Sequence, residues 1–164
     1  MKHNITIFLY LMVQYAGFAQ ALEEDRAVMQ PIVQLFQGMN LGDSAMVHRS
    51  FAPKVSFVTL GSDKAGKPFM RTERSLQNFL TAIGSPHPEV WSEPIWDVKI
   101  QRDGSLAQVW ANYAFYIGKK FSHCGVDAFQ LARDEKGMWK IFHLADTRQR
   151  EGCQIPEAIA AQFK

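Results

Sequence analysis

The sequence has little of several features that would point to a common enzyme class. It contains only two cysteines, and it has no Cys-x-x-Cys or His-x-x-x-His spacing, no glycine-rich phosphate loop and no recognisable serine or cysteine nucleophile motif. We therefore expect no metal and no cofactor. The charges are nearly balanced, with 18 Lys and Arg against 16 Asp and Glu. Binding to nucleic acid requires a basic surface, so no nucleic-acid partner is expected.

Long apolar runs are also missing, apart from one at the start of the chain. A short basic start precedes a mostly apolar run over residues 5–13, and small residues lie just before Gln20. This order is typical of a secretory signal peptide. The run is too short for a membrane anchor, which needs about 20 apolar residues. A buried helix of a cytosolic domain is the alternative, but these apolar residues point all round a helix.

We therefore predict a signal peptide at residues 1–19, a single domain at residues 20–164 with no membrane anchor, and a periplasmic or secreted location. The two cysteines allow one intramolecular pairing, and an oxidising compartment would let a Cys124–Cys153 disulfide persist. Closing that loop would stabilise the fold by about 3–4 kcal/mol. Two unpaired thiols are the alternative.

Hydrophobic spacing after residue 20 indicates helices first and strands later. Helices are predicted at residues 22–39, 45–51 and 72–84, and Pro31 is expected to kink or split the first of them. Strands are predicted at residues 55–59, 69–71, 95–101, 106–117, 121–133 and 138–147. Short turns between the last four strands favour an antiparallel meander. The chain is therefore predicted to be an α+β domain.

The alternation of residues in the last strands predicts which side chains share the inner face. A turn at residues 118–120 would place Phe115 opposite His123 and Ala111 opposite Asp127. His123 and Asp127 would lie about 13 Å apart along one strand, too far for a hydrogen bond.

Carrying this face across the final turn, with Leu131 opposite Trp139, would put Asp127 beside His143. Their Cβ atoms would be about 5 Å apart, so the carboxylate could orient and acidify the imidazole. We therefore predict Asp127 and His143 as a catalytic pair, although a one-residue slip would separate them. A packed core histidine and a carboxylate at a sheet end are the alternative. The residues predicted to contact a ligand on this face are Tyr113, Phe115, His123, Phe129 and Trp139.

Three strings in the strands, at residues 107–115, 125–131 and 139–148, carry a family resemblance. With the preceding helices, they resemble the nuclear transport factor 2-like superfamily of SnoaL-like and ketosteroid isomerase-like cone folds, and within it an exported bacterial family labelled lumazine-binding. The resemblance implies a cone-shaped half-barrel, in which three helices pack on a strongly curved antiparallel sheet around a cavity. It also implies a homodimer through the outer face of the sheet.

The function implied by this resemblance is open, because the superfamily contains isomerases, dehydratases, cyclases and proteins with no shown activity. The mainly apolar inner face favours an exported protein that binds a small organic ligand without catalysis. One alternative is a cofactor-independent lyase or isomerase with acid–base residues in the cavity. A protein-interaction module is the other.

Overall fold

The structure is a computed structural model that describes the chain from Gln20 onwards, except Lys64, Arg74 and the side chain of Glu73, together with the backbone of residues 3–19. The predicted signal peptide therefore falls outside the residues described in full. Among the described residues, no helix is both long enough and apolar enough to cross a membrane.

The three predicted helices are all present. The helices are α1 (His3–Leu41), α2 (Ser44–Ser50), α3 (Leu76–Gly84) and a short α4 (Glu157–Ala160), which leads into a 3₁₀ turn (Ala161–Phe163). Of the two effects expected of Pro31, a split in the helix does not occur, because α1 continues through it. Pro31 is itself buried, beside the fully buried Val28, Ile32 and Leu35. Tertiary packing of this apolar face therefore outweighs the hydrogen bond that the proline removes.

Side-chain caps set where α2 and α3 begin. The carboxylate of Asp43 accepts the backbone N–H of Met46 at 2.8 Å, as expected for a cap after the glycine stop at Gly42. The hydroxyl of Ser75 caps α3 by accepting the N–H of Gln77 at 3.1 Å. Helix α3 thus starts later than predicted, because the strand before it continues through Glu73.

The described residues form one curved seven-stranded sheet. Its strands are β1 (Phe51–Ser62), β2 (Pro68–Glu73), β3 (Trp91–Ser92), β4 (Ile95–Asp103), β5 (Leu106–Ile117), β6 (Lys120–Arg133) and β7 (Trp139–Arg148). The order is β2-β1-β7-β6-β5-β3, with β4 also paired to β5. The prediction of a purely antiparallel sheet is wrong at one junction, where β1 runs parallel to β7. The intervening chain supplies the long crossover that a parallel pair requires.

The predicted pairing of β5 with β6 is confirmed. Phe115 lies opposite His123, and Ala111 lies opposite Asp127. The turn between the two strands is shorter than predicted, because Ile117 already pairs with Lys120. A register shift between Tyr116 and Phe115 then brings Phe115 opposite His123, as predicted. Odd-numbered residues of these strands, such as Val109 and Leu131, therefore pack in the core with α1.

The core lies between α1 and the concave face of the sheet. Ile32 and Leu35 of α1 belong to one buried cluster with Val109, Leu131 and Ile141 of the sheet. Each such side chain contributes about 1.5–3 kcal/mol when removed from water. This packing holds the sheet against the helices and leaves space for a cavity towards one end.

A second cluster lies on the outer face and contains the predicted disulfide. Cys124 of β6 is bonded to Cys153, with their Cα atoms 6.1 Å apart. Beyond this bond, Phe163 stacks on Tyr116 with ring centroids 3.8 Å apart. The segment after β7 is thus fastened against the strands that carry the candidate site.

Candidate acid–base site

A cavity of about 680 Å³ lies between the helices and the concave face of the sheet. This volume is within the usual range for small-molecule sites. Its apolar lining comes from α1, β1, α3 and β7, and consists of Leu35, Phe36, Met39, Phe57, Phe79 and Leu144. Its polar and charged lining consists of Thr59, Arg71, Thr72, Asn78, Glu93, Tyr113, His123, Asp127, Asp146 and Arg148. The cavity thus combines an apolar wall with a set of ionisable groups.

A polar row crosses four neighbouring strands on the floor of this cavity. Arg71 of β2 pairs with Thr59 of β1, Thr59 pairs with Asp146 of β7, and Asp146 pairs with Asp127 of β6. All four side chains line the cavity. Adjacent strands are about 4.8 Å apart, so the row spans roughly 14 Å from Arg71 to Asp127. It leads from an exposed cation to a buried acid.

Asp146 is the hydrogen-bonded centre of this row. Its carboxylate accepts the Thr59 hydroxyl at 2.6 Å and forms an ion pair with Nε of Arg148 at 2.6 Å. The Tyr113 hydroxyl lies 3.3 Å from the same carboxylate and 2.9 Å from the carbonyl oxygen of Thr147. Burial, followed by the charge of Asp146, raises the pKa of Tyr113, so the phenol keeps its proton. Asp146 and Tyr113 therefore fix the arrangement of the site.

Glu93, which is half-buried, and Asp127, which is buried, form a pair of acids beside this centre. Asp127 is only 2% exposed, and burial together with the charge of Glu93 holds its pKa well above the usual range. Burial likewise raises the pKa of Glu93 to about 7, although a hydrogen bond from Asp127 opposes the shift. The Oδ2 atom of Asp127 has no hydrogen-bond partner among the described residues. Near neutral pH, Glu93 can therefore gain or lose a proton, while burial favours the protonated form of Asp127.

His123 adds a neutral imidazole to the cavity wall. Burial, followed by the nearby charge of Arg148, lowers its pKa to about 4. Its Nδ1 atom lies 3.0 Å from the hydroxyl of Ser122, and its ring meets the edge of Tyr113. A neutral imidazole has one donor and one acceptor nitrogen, so His123 can orient a polar group without adding charge.

The predicted catalytic pairing of Asp127 with His143 is wrong. Asp127 lies opposite Asp146, while His143 lies opposite Gln130. After the turn between β6 and β7, the first paired residues are Arg133 and Trp139. Phe142 then forms a bulge without a partner on β6, so beyond it the even-numbered residues of β7 face the cavity. His143 consequently points away from the cavity, where its Nδ1 lies 2.6 Å from the hydroxyl of Ser56.

The residues predicted to bind ligand are divided between the cavity and the core. Tyr113, His123 and Asp127 line the cavity, whereas Phe115, Phe129 and Trp139 are not among its lining residues. Phe129 packs edge-on against Phe36, and Trp139 lies under the guanidinium of Arg133. Phe115 packs between Trp91 and His123. These aromatic side chains support the cavity from behind.

Glu93 was missed by the sequence reasoning. It lies between β3 and β4, at a single acidic position within an aromatic segment that contains Trp91 and Trp96. That isolated position was the only available signal. The described residues contain no group of three or more His, Cys, Asp or Glu side chains arranged to hold a metal ion.

A curved, unclosed mixed sheet packed over helices around such a cavity defines the nuclear transport factor 2-like cone fold, and solved structures support this assignment. No protein-family model and no curated protein matches the chain. A nuclear transport factor 2-like protein with a cystatin-like fold from Novosphingobium aromaticivorans has a TM-score of 0.64 at 11% identity, covering 92% of this chain and 95% of its own.

Two further similar structures carry provisional enzyme names. A provisionally named scytalone dehydratase from Novosphingobium aromaticivorans has a TM-score of 0.62 at 13% identity, with 85% of this chain and 93% of its own covered. A provisionally named ketosteroid isomerase from Shewanella frigidimarina has a TM-score of 0.53 at 19% identity, with 73% and 94% covered. At these identities the likeness shows the fold alone.

Proposed function

We propose that this chain is an acid–base enzyme, a lyase or isomerase that moves a proton on a small organic molecule held in the cavity. The observation that carries the proposal is the pairing of half-buried Glu93 with buried Asp127 at an apolar-walled cavity. Burying two carboxyl groups together is unfavourable unless they share a proton, and such perturbed pairs cluster at functional sites. The sequence favoured non-catalytic binding, but it did not reveal this pair.

Each residue has a distinct role in the proposed reaction. The Glu93 carboxylate accepts a proton from a carbon next to a carbonyl group, since a pKa near 7 suits a general base at neutral pH. Once Glu93 has taken up this proton, the single hydrogen of protonated Asp127 is donated from its unpartnered Oδ2 to the developing oxygen anion. The neutral His123 orients the substrate. For a lyase, the proton then leaves Glu93 with the departing hydroxyl as water; for an isomerase, it returns to a different carbon.

Solvent-deuterium incorporation tests this proposal, because it reports proton removal from any ketone that enters the cavity. We would incubate the protein in D₂O with a panel of cyclic ketones and β-hydroxy ketones and follow the mass of each. Glu93→Gln should lower the exchange rate by about 10²–10⁴-fold. The matched control is Glu89→Gln, because Glu89 is an exposed carboxylate outside the cavity lining and should leave the rate unchanged. Exchange at the wild-type rate in Glu93→Gln, or none with any panel member, would refute the proposal.

Export forms a second part of the proposal. We propose cleavage of the signal peptide before Gln20 and a periplasmic or secreted mature protein. The Cys124–Cys153 disulfide supports this part, because such bonds persist in oxidising compartments. Intact-mass measurement of the protein purified from its own host tests it, with a mature chain beginning at Gln20 expected and an unprocessed chain contradicting it. The lumazine-binding resemblance fits a small, flat ligand in the same cavity.

We also propose a homodimer through the outer face of the sheet. Three large apolar side chains are exposed there, with Val98 at 38%, Leu106 at 52% and Trp110 at 51%. Contiguous exposed apolar surface is typical of interaction sites. Analytical ultracentrifugation should give a dimer for the wild type and a monomer for Trp110→Glu. A monomeric wild type would contradict this part alone.

A further inference from the structure

We infer that the substrate is a small organic carboxylate, and that its anionic group binds between Arg71 and Arg148 while the rest of the molecule extends towards Asp127. The inference rests on the proposed function, since it names the substrate class of the same site. It assigns a binding role to the cationic end of the polar row.

The two arginines approach the same space from opposite sides of β1. Arg71 is on β2, Arg148 is on β7, and both line the cavity. Their strands lie on either side of β1, so the two backbones are about 10 Å apart. An arginine side chain can cover about half of that distance. Both guanidinium groups can therefore reach one anion.

Gly61 makes room for the Phe69 ring beside the two arginines. It is the residue of β1 that pairs with Arg148 on one side and with Phe69 on the other. A Cβ atom at Gly61 would lie 2.9 Å from the Phe69 ring and 3.2 Å from the carbonyl oxygen of Arg148. The glycine thus lets the Phe69 ring lie close against β1, and the guanidinium of Arg71 lies over that ring.

Both guanidinium groups have hydrogen-bond donors to spare. Arg148 uses Nε for its ion pair with Asp146, and its terminal nitrogens make no hydrogen bond with the described residues. Arg71 lies over the Phe69 ring at 4.7 Å and forms no ion pair with any described side chain. Held in this way, the two groups present a planar set of N–H donors. Such a set matches the geometry of a carboxylate.

The spacing of the row fits a substrate of one or two rings. About 14 Å of floor separates Arg71 from Asp127, and the apolar wall of Phe57, Phe79 and Leu144 runs beside it. An anion bound at the arginines would therefore place an apolar body along that wall and a reactive carbon near Glu93. A neutral ligand would leave the cationic end unpaired.

The test compares naphthoate with naphthamide, two probes of nearly the same shape that differ in charge, by titration calorimetry. Naphthoate should bind about 10- to 100-fold more tightly, because hydrogen bonds between charged groups are the strong ones. Arg71→Gln and Arg148→Gln should each remove most of this preference and leave naphthamide binding unchanged. Arg148→Lys keeps the positive charge but loses the planar set of N–H donors, so it should lose only part of the preference for naphthoate.

Arg49→Gln is the matched control, since Arg49 is exposed on α2 and does not line the cavity. Circular dichroism and thermal melts would confirm that every variant is folded. Equal affinity for the two probes, a preference that survives in the Arg71→Gln Arg148→Gln double variant, or no binding of naphthoate would each overturn the inference. None of these results depends on proton exchange at Glu93, so the two proposals can fail separately.

Discussion

Asp127 and Asp146 lie directly opposite one another on β6 and β7, yet their carboxyl groups have opposite surroundings. Asp146 accepts a hydrogen bond from Thr59 and is ion-paired with Arg148. Asp127 is buried next to a second acid, with one oxygen unpartnered among the described residues. The two strands thus place an ion-paired carboxylate beside a buried carboxyl group whose pKa is raised, and these environments suit different roles in one site.

The stability of the protein should depend on pH through two opposing groups. The pKa of Glu93 is raised from 4.5 to about 7, so its contribution is fully present below pH 4.5 and is lost as the pH rises towards 7. The pKa of His123 is lowered from 6.5 to about 4, so its contribution is present above pH 6.5 and is lost as the pH falls towards 4. Because the two windows overlap, their effects should largely cancel in the wild type.

Single variants should reveal each half of this balance. In urea denaturation, Glu93→Gln should become less stable on acidification from pH 6.5 to 4.5, and His123→Asn should become more stable, each by about 1–3 kcal/mol. The unfolding free energy of the double variant should change little with pH, apart from the contribution of Asp127. Parallel pH profiles for the wild type and both single variants would show that these groups do not titrate as proposed.

Asp127→Asn should be tolerated better than Asp127→Ala. The asparagine amide resembles a protonated carboxyl group in shape and can donate a hydrogen bond, whereas alanine leaves a polar cavity beside Glu93. Asp127→Ala should also raise the pKa of Glu93, because it removes the Asp127 hydrogen bond that lowers it, whereas the asparagine amide can still donate one. The measurements are the unfolding free energy of each variant and the pH at which deuterium exchange is half-maximal. A midpoint for Asp127→Ala that is not above that of Asp127→Asn would contradict the coupling of the two acids.

The Cys124–Cys153 bond should contribute about 3–4 kcal/mol to the unfolding free energy, given a sequence separation of 29 residues. Cys153→Ser should lower the urea midpoint by a corresponding amount. Dithiothreitol should bring the wild type to the same midpoint and should have no effect on the variant. An unchanged midpoint for the reduced wild type would mean that packing of the C-terminal segment alone holds it in place.

Gly125→Ala should disrupt the centre of the sheet. A Cβ atom there would lie 1.8 Å from the carbonyl oxygen of Thr147, which is backbone and cannot swing aside. We expect a loss of several kcal/mol in the unfolding free energy. Gly61→Ala is the comparison, because its closest neighbour is the ring of Phe69, at 2.9 Å, and a side chain can move. Equal stability of the two variants would contradict the close approach of β6 and β7 at Gly125.

Ser50→Ala should be neutral or stabilising by about 1 kcal/mol. Ser50 is fully buried, and its hydroxyl has no hydrogen-bond partner among the described residues. Alanine fills nearly the same volume and removes a buried polar group that gains nothing from the fold. Thermal denaturation measures the change. A clear loss of stability would indicate that a bound water molecule satisfies the hydroxyl.

Periodicity located the helices and long strands, because each buries one continuous apolar face. The pairing of Phe115 with His123 was also predictable, since a short turn fixes the register of a hairpin. The separation of Asp127 from His143 could not be predicted, because the bulge at Phe142 depends on how β7 fits between β6 and β1. Glu93 was missed for a similar reason: its proximity to Asp127 arises from the curvature of the whole sheet rather than from any local pattern.

The parallel pairing of β1 with β7 has a consequence for the order in which the molecule folds. The two strands come from the beginning and the end of the sheet, and the bond between Thr59 and Asp146 joins them. Such distant contacts form late, because a long loop must be closed before they contribute. The polar row therefore assembles only after β7 has been synthesised and released. Closure of the site is therefore one of the last steps of folding, because the strand order leaves the final strand of the sheet to complete it.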